Sequence, residues 1–433
     1  MRRPIVLLIA QLSMAAPAAE VTRVASSVEE KRPFGMYLDF TFDRLQDKAT
    51  ISREWYGLSQ RTVPELSYVK YETSLDLEAH IGLFRDLEFK VGVPIVFQQD
   101  RSWAFAAGRD ASNTTLYQNY SNADGTPVDE ANNPPGAGNG RLFEVGSPSS
   151  SYRGGLGDFT FGLGWAPFVQ RKDASKPTWV LRFDYTAPTA AVLDPSVPAT
   201  SAKRGAIGER IHKYTFTTAL SRRLYFAEPY FVLHYTLPWR GPLAYSNCDS
   251  ALSKDATAKT NYGNCGLDGW SRAETGIQPS HTGGVQFGSE FTVFERPEYH
   301  QRVAFDLRGS ITYVSQGRVY NELSDLLGKL LSTQDYAQLG AQLGFVGQAA
   351  EFITLKASAS LAYNTEHVLT MESVVHTAGS NGSVQAVDIS PIDGQVNPNV
   401  NPNFDYRVDR AGRRFIVQDQ LLFRIQVTAT FNF

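Results

Sequence analysis

Charged side chains recur at every second residue within otherwise apolar stretches of this 433-residue chain. From residue 70 to residue 80, the even positions are Lys70, Glu72, Ser74, Asp76, Glu78 and His80. Alternate residues of a β-strand point to opposite faces, so these groups share one face of an extended segment. Ammonium, carboxylate and imidazole groups in a row can pair with each other or contact a passing solute. The spacing therefore favours ion pairing and solute contact along a surface.

The same alternation elsewhere gives a larger set of charged residues on the polar face. The following residues are candidates to line a pore, and a network of mutual pairs that fills the interior is the favoured alternative: Asp39, Lys70, Glu72, Asp76, Glu78, Arg182, Asp184, Glu290, Asp306, Arg308 and Arg424. The polar face also carries Asp43, His80, Glu88, Lys90, Glu228, His234, Arg302 and Lys356. Both signs of charge occur, which argues against strong ion selectivity. Arg182 with Asp184, and Asp306 with Arg308, stand two residues apart and are predicted ion pairs, with structural pairing favoured over substrate binding.

No catalytic motif accompanies these charges. The sequence has no nucleophile elbow, no H-E-x-x-H zinc motif, no phosphate-binding Walker loop and no dinucleotide fingerprint. Its seven histidines, at positions 80, 212, 234, 281, 300, 367 and 376, do not cluster around one serine. We therefore expect no enzyme activity, no cofactor and no metal site.

Cys248 and Cys265 are the only cysteines, and both lie in a long polar link, residues 240–281. An even pair of cysteines in an oxidising compartment is typical of a disulfide. We predict a disulfide that closes a surface loop and contributes about 3 kcal/mol to its stability. Metal binding by two cysteines without a nearby histidine is the less favoured alternative.

The first eighteen residues have the features of a secretory signal peptide. Arg2 and Arg3 precede a short apolar run, residues 5–10, and Ala16-Pro17-Ala18 has the A-x-A form of a cleavage site. A membrane-spanning helix needs about 20 apolar residues, so a helical anchor is disfavoured. We predict cleavage after Ala18. Residues 19–33, which are polar and aperiodic, then form a mobile periplasmic N-terminal segment.

The rest of the chain contains twelve segments with a period of two, and the last segment shows the pattern most clearly. Its odd positions, Leu421 to Phe433, are apolar, and its even positions are mostly polar. Such a segment is a β-strand with one apolar and one polar face. The twelve predicted strands lie at 34–42, 69–81, 87–97, 155–169, 178–188, 212–222, 225–239, 283–294, 302–315, 336–346, 351–364 and 421–433.

Short and long connections alternate between these strands. The long links are rich in Gly, Pro, Asn, Asp and Ser and lie at 44–65, 99–153, 190–211, 240–281, 317–335 and 365–412. This alternation, with an even number of strands, is typical of a transmembrane barrel with both termini in the periplasm. We predict an all-β, transmembrane, antiparallel, up-and-down β-barrel over residues 34–433, with short periplasmic turns and long extracellular loops. Fourteen strands would follow if the 99–153 link contained a hairpin.

Composition excludes several other classes of protein. The net charge of −3 and the 20% of charged residues do not favour a nucleic-acid partner. No run of 18 apolar residues follows the signal segment, which excludes a helical membrane protein. A soluble β-sandwich is the competing fold, but its strands average only about 5–6 residues. Strands in lipid must close into a cylinder because the membrane offers no partner for free backbone groups.

Residues 322–331 break the period of two. Their leucines, Leu323, Leu326, Leu327, Leu330 and Leu331, recur at helical spacing, which predicts a short amphipathic helix in an outside loop. We expect this helix to cap the barrel mouth by packing on other loops. A groove that collects an apolar ligand is the alternative.

Two motifs resemble those of a known family. Gly154-Gly155-Leu156-Gly157-Asp158-Phe159 opens the fourth strand, and Ala187-Pro188-Thr189 ends the fifth. The pattern resembles outer-membrane β-barrels of the phenol meta-degradation-pathway transporter type, which are related to fatty-acid and aromatic-hydrocarbon channel proteins. Ala190 stands where that family has Gly. The terminal Phe433 resembles the last residue of bacterial outer-membrane barrels, which serves as an assembly signal.

This resemblance implies a porin-like transport protein of the Gram-negative cell outer membrane. The implied function is a channel or transporter for small, hydrophobic or amphipathic solutes, without catalytic residues. The implied partners are outer-membrane lipid, the barrel assembly machinery and a small-molecule solute. The alternative function is an integral barrel component of a multiprotein envelope machine, for polysaccharide export, secretion or surface motility, with periplasmic or envelope protein partners.

Overall fold

The structure is a computed structural model that describes residues 19–25, 35–55, 62–117, 142–143, 145, 150–249, 265, 270–373, 401–405 and 407–433. Antiparallel strands dominate these residues. The α-helices there, α1 (Arg272–Thr275) and α2 (Ser324–Leu327), are single turns. No helix in the described ranges has the length and apolar character needed to cross a membrane.

Sixteen strands form in the described residues. In chain order they are β1 (Met36–Glu54), β2 (Thr62–Phe84), β3 (Leu87–Phe105), β4 (Ser150–Leu156), β5 (Phe159–Phe168), β6 (Thr178–Ala187), β7 (Ile211–Ser221), β8 (Ala227–Arg240), β9 (Thr282–Arg296), β10 (Gln301–Val314), β11 (Gly317–Val319), β12 (Leu331–Thr333), β13 (Tyr336–Ala350), β14 (Ile353–Asn364), β15 (His367–Val368) and β16 (Phe415–Asn432). Twelve of them form a continuous wall in the order β1, β2, β3, β5, β6, β7, β8, β9, β10, β13, β14, β16.

Antiparallel pairing between the first and last strands closes this wall. The β1–β16 ladder runs from Tyr37 opposite Asn432 to Arg53 opposite Phe415. Of the other strands, β4 pairs with residues 95–102 of β3, β15 pairs with β16, and β11 pairs with β12. The predicted twelve-strand barrel is therefore confirmed. The described part of the 99–153 link adds β4 but not the hairpin that fourteen strands would need.

Short turns and long links alternate around the barrel, as predicted. We call the end with the short turns the turn rim and the opposite end the loop rim. At the turn rim, Arg85 and Asp86 alone connect β2 to β3, with φ angles of 43° and 63°. Two positive φ angles are what a two-residue type I′ hairpin requires.

The first long link is shorter than the sequence predicts. Instead of spanning 44–65, it covers 55–61, because β1 continues to Glu54 and β2 begins at Thr62. Beyond Phe42 the outward residues Arg44 and Lys48 are charged and exposed, so the apolar alternation stops while backbone pairing continues. The sequence pattern therefore marks the end of the apolar belt and not the end of the strand.

Large apolar side chains cover the outside of the wall as a belt. Leu163 on β5 and Leu307 on β10 are 48% and 52% exposed, and Phe40, Phe216 and Phe423 belong to the same belt. A contiguous apolar surface of this extent is costly in water and favourable in lipid. A closed barrel with such a belt has the surface of a membrane-spanning protein.

The largest buried apolar cluster lies at the loop rim. It joins the extended ends of β1, β2, β3 and β16 to parts of the long links, through residues such as Ile51, Leu66, Trp103, Leu323 and Phe415. These side chains are at most 5% exposed. The described parts of the links therefore form a packed cap over this rim, which we call the loop cap.

Candidate functional site

The register of the wall places all eleven predicted pore-lining residues on its inner face. Directly paired residues of neighbouring strands point the same way, and the pairs Asp39–Glu78 and Glu290–Asp306 illustrate this. The exposed apolar belt occupies the alternate positions. Whether these eleven residues contact a solute stays a prediction.

The described N-terminal residues, 19–25, lie inside the barrel at the turn rim. The sequence predicts a mobile periplasmic segment for residues 19–33, so this location is a structural finding that the sequence pattern does not contain. The segment contacts inner-face residues of eight wall strands, which are Tyr37, Glu88, Arg182, Ser221, Glu228, Glu290, Lys356 and Asn432. Residues 26–34 lie outside the described ranges. We call residues 19–25 the N-terminal plug.

Backbone N–H groups hold the plug to three buried glutamates of the wall. Ala19 N donates to Glu228 at 2.7 Å, Glu20 N to Glu290 at 2.6 Å, and Ala25 N to Glu88 at 2.8 Å. Arg182 adds a bond to the carbonyl oxygen of Val21 at 2.9 Å and a second to that of Arg23. The plug is thus bound mainly through its main chain.

One ion pair also ties the plug to the wall. Lys356 Nζ lies 2.6 Å from the Glu20 carboxylate. Burial alone would raise the pKa of Glu20, but Lys356 and Arg23 outweigh it and lower the pKa to about 2. Glu20 is therefore ionised throughout the neutral range.

Ion pairs follow the inner face between the two rims, and only one of the two predicted pairs forms. Arg308 lies 3.1 Å from Asp306, as predicted. The predicted pair of Arg182 with Asp184 is wrong: Asp184 lies 2.8 Å from Lys90, and Arg182 approaches Glu88 at 3.4 Å. Lys90 and Glu88 belong to β3, and β5 separates β3 from β6. At these positions β5 has Gly162 and Gly164, so the long side chains of the outer two strands can meet across it.

Other predicted residues also form ion pairs. Lys70 lies 2.7 Å from Glu72, and Arg424 lies 3.6 Å from Asp43. The side chain of Arg424 is nevertheless 44% exposed. Because the wall surrounds it, this exposure indicates space for water inside the barrel.

Asp39, Glu78 and His80 form one cluster with metal-ligand chemistry. Their potential ligand atoms all lie within 4.8 Å of one another. These atoms already have partners, since Lys90 lies 3.7 Å from Glu78 and the hydroxyl of Thr430 donates to Asp39. His80 stacks on Tyr37 with ring centroids 4.2 Å apart. The three residues belong to a charge-paired part of the wall.

The link between β10 and β13 closes the barrel at the loop rim. Gln420, on the inner face of β16, donates to the Glu322 carboxylate at 3.0 Å, and Trp103 donates to the Glu322 carbonyl at 2.9 Å. Arg153 holds the same link through Asp325 at 2.6 Å. Burial raises the pKa of Asp325, but Arg153 outweighs this and holds it below its usual value. We call residues 315–335 the mouth segment.

The mouth segment contains less helix than the sequence predicts. Residues 322–331 form only the single turn α2, which ends at Gly328 with a φ of 66°. Leu331 instead belongs to β12. Leu323 and Leu331 are buried in the loop-rim cluster, and Leu326 and Leu327 pack against it. The leucines therefore pack the cap, as expected, although the helix is shorter than predicted.

A disulfide joins Cys248 and Cys265 in the link between β8 and β9, with the Cα atoms 5.7 Å apart. Beside it, Asn247 bonds to the mouth segment through the Leu330 carbonyl at 3.0 Å. The disulfide-bearing link and the mouth segment are thus parts of one cap.

Several residues of the N-terminal plug and the loop cap are absent from the set of functional residues that the sequence predicts. Glu20 lies in a segment without period, and Arg101, Arg153, Tyr320 and Asp325 lie in the cap or at its base. The alternation that was used to select inner-face residues does not single out these residues among the other polar residues of the loops. Glu228 and Glu88 are on the predicted polar face, but their contacts with the plug depend on the fold.

Comparison with known proteins finds similarity in fold only. No protein-family model and no curated protein matches the sequence. An outer-membrane channel from Pseudomonas putida F1 is 11% identical with a TM-score of 0.42, covering 95% of this chain and 100% of that chain. A FadL homologue from Pseudomonas aeruginosa is 9% identical with a TM-score of 0.35, covering 92% and 90%.

A mutant of the TodX monoaromatic hydrocarbon channel is 11% identical with a TM-score of 0.32, covering 98% of this chain and 94% of that chain. At these values the similarity concerns the arrangement of a barrel. The function has to be argued from the residues of this chain.

Proposed function

We propose that the protein is an outer-membrane channel, a route for small polar or amphipathic solutes. Its wall combines an apolar outer belt with an inner face that carries charges of both signs. Lipid surrounds the first surface, and water and solute contact the second. No cofactor is needed for such passage.

The exposure pattern along β16 is the observation that carries this proposal. Gln420 is 2% exposed where it meets the mouth segment, and Asn432 bonds to the N-terminal plug. Arg424 lies between them on the same inner face and is 44% exposed as a side chain. A barrel filled by its own side chains would bury Arg424. The pattern supports a water-accessible chamber that is closed at both rims in this conformation.

The two closures then act as gates. The plug is bonded to the wall mainly by hydrogen bonds and ion pairs. The mouth segment combines such bonds with buried apolar contacts, and neither closure is a wall strand. Polar contacts of this kind exchange readily with water and can open without unfolding the barrel. Passage requires both the N-terminal plug and the mouth segment to move.

Conductance in planar bilayers tests the proposal. Deleting residues 19–25 should increase the current through single barrels relative to the intact mature chain. In that background, Arg424→Gln should increase the permeability ratio of cations to anions, because it removes an exposed positive charge from the chamber.

Arg44→Gln is the matched control for Arg424→Gln. Arg44 stands opposite Ile425 on the outer face of the same strand pair, so its neutralisation should leave selectivity unchanged. A variant that lacks residues 19–25, carries Asp325→Asn to loosen the mouth segment and still conducts no current would overturn the proposal. Co-purification of that silent barrel with periplasmic proteins would instead favour a component of an envelope machine.

We also propose an orientation of the barrel in the membrane and a signal for its assembly. The turn rim, where both the plug and Phe433 lie, faces the periplasm, and the loop cap faces outward. Phe433 donates its N–H to the Met36 carbonyl at 2.9 Å while its side chain is 58% exposed. We propose that this free aromatic ring is the assembly signal read by the barrel assembly machinery.

A further inference from the structure

Three carboxylates stand side by side on the inner face near the N-terminal plug. Glu228 on β8 is directly opposite Glu290 on β9, which is directly opposite Asp306 on β10. Like charges at directly opposite positions repel. Arg302 lies 2.9 Å from Glu290, and Arg308 lies 3.1 Å from Asp306. Two of the three carboxylates thus have a cation as partner.

Glu228 has no Lys, Arg or His partner among the described residues, although it is only 3% exposed. Its Oε1 accepts hydrogen bonds from Ser221 Oγ and from Ala19 N, each at 2.7 Å. Its Oε2 is buried without a hydrogen-bond partner in the described part of the chain. A buried carboxylate with one unbonded oxygen is costly unless a cation neutralises it.

The atom that faces Glu228 is the main-chain nitrogen of Ala19. Ala19 is completely buried and packs with Ala219, Tyr230 and Val232. As part of a peptide bond this nitrogen carries one proton and no charge. The same nitrogen would be a cation with three protons if Ala19 were the first residue of the chain.

The sequence places a cleavage site at this position. Ala16-Pro17-Ala18 has the A-x-A form, and Ala19 follows it directly. Hydrolysis of the Ala18–Ala19 bond transfers the hydroxyl of water to the Ala18 carbonyl carbon and a proton to the Ala19 nitrogen. The new α-amine takes one further proton from solution, because the pKa of an α-amino group is about 8.

We propose that removal of the signal peptide after Ala18 creates the counter-ion of Glu228. The α-ammonium of Ala19 bonds Oε1 where the amide nitrogen lies, and its additional protons are available to Oε2. Processing thereby completes the closure of the barrel by the plug, since only the cleaved chain supplies this charge. The proposal does not depend on solute conduction, so its failure and the failure of the channel proposal are distinguishable.

The first test is the identity and accessibility of the new N-terminus. The intact mass of protein extracted from membranes should equal that of residues 19–433, and a mature chain that begins at another residue overturns the proposal. In the folded barrel, a reagent selective for α-amines should modify Ala19 at least about tenfold more slowly than in the unfolded chain, because even a modest local opening free energy gives that protection.

Glu228→Gln should restore rapid modification of the folded barrel, since the ion pair is lost. Glu298→Gln is the matched control, because Glu298 is exposed in the turn between β9 and β10 and should leave the rate unchanged. Equal rates for Glu228→Gln and the wild-type chain overturn the proposal. Folding is verified in each case by the heat-dependent shift in gel mobility that is typical of barrels.

A second measurement covers the case in which Glu228→Gln does not fold. The mature wild-type chain is refolded with a free or an acetylated α-amine, which changes the N-terminal charge and no side chain. Trypsin cleavage after Arg23 then reports release of the plug. We expect cleavage at least about tenfold faster in the acetylated barrel, and equal rates in the two barrels contradict the proposed ion pair.

Discussion

The charge on Glu20 makes the N-terminal plug sensitive to acid. The pKa of Glu20 is about 2 in the folded barrel, against an ordinary value of 4.5, because Lys356 and Arg23 outweigh the effect of burial. Its stabilising effect is therefore fully present above pH 4.5 and is lost as the pH falls from 4.5 through about 2. At about 1.4 kcal/mol per pKa unit, this difference corresponds to about 3 kcal/mol.

The perturbation that isolates this charge is Glu20→Gln, which keeps the size of the side chain. The assay is hydrogen exchange of the backbone amides of residues 20–25, relative to the same peptide free in solution, at pH 7 and at pH 3. Wild-type protection should fall on acidification. Glu20→Gln should reduce protection at pH 7 by about 100-fold, as expected for about 3 kcal/mol, and should remove most of the pH dependence.

Two further variants make the result specific. Lys356→Gln should weaken the plug at pH 7 nearly as much as Glu20→Gln, and the double variant should add little, because the two residues act as one pair. Glu298→Gln, in an exposed turn, should keep the wild-type profile. If Glu20→Gln loses protection in acid as steeply as the wild-type chain, the reasoning is refuted, because another group then titrates.

Three other changes have defined outcomes. Asp325→Asn leaves the Arg153 guanidinium buried without its carboxylate and should lower the local stability of the mouth segment by about 3 kcal/mol or more, measured as faster hydrogen exchange of residues 315–335. Replacing Cys248 and Cys265 by Ser should lower the local stability of the link between β8 and β9 by about 3 kcal/mol, measured as faster proteolysis there with unchanged heat-dependent gel mobility. Phe433→Ser should reduce the yield of assembled barrel in cells and leave refolding in detergent unchanged, because its ring is exposed.

The wall of the barrel could be predicted because one physical constraint acts on every strand. Lipid outside and water inside require the period of two that separates Phe40 from Asp39 and Leu307 from Asp306. The ends of the strands could not be predicted in the same way. At Arg44 and Lys48 the outer face has left the apolar belt, so hydropathy changes while hydrogen bonding does not.

The ion-pair partners of the inner-face side chains could not be predicted, because they depend on the register between strands. Arg182 was expected to pair with Asp184 on its own strand, but it contacts Glu88, two strands away, and two carbonyl groups of the plug. Gly164 contributes to this arrangement, since a Cβ there would lie 2.7 Å from Glu88 Oε1. The sequence contains the glycine, but only the fold shows that it leaves space for the side chain of Glu88.

The number of strands explains why the interior of this barrel has room for the N-terminal plug. A barrel of about eight strands is filled by its own side chains, and one of about sixteen leaves an open channel. Twelve strands lie between these two cases, and in this barrel the plug fills part of the interior at the turn rim. Here main-chain N–H groups of one short segment donate to Glu228, Glu290 and Glu88 on three separate strands. Because these donors belong to one peptide, they can leave the wall together, and the closure can open without disturbing the pairing of any strand.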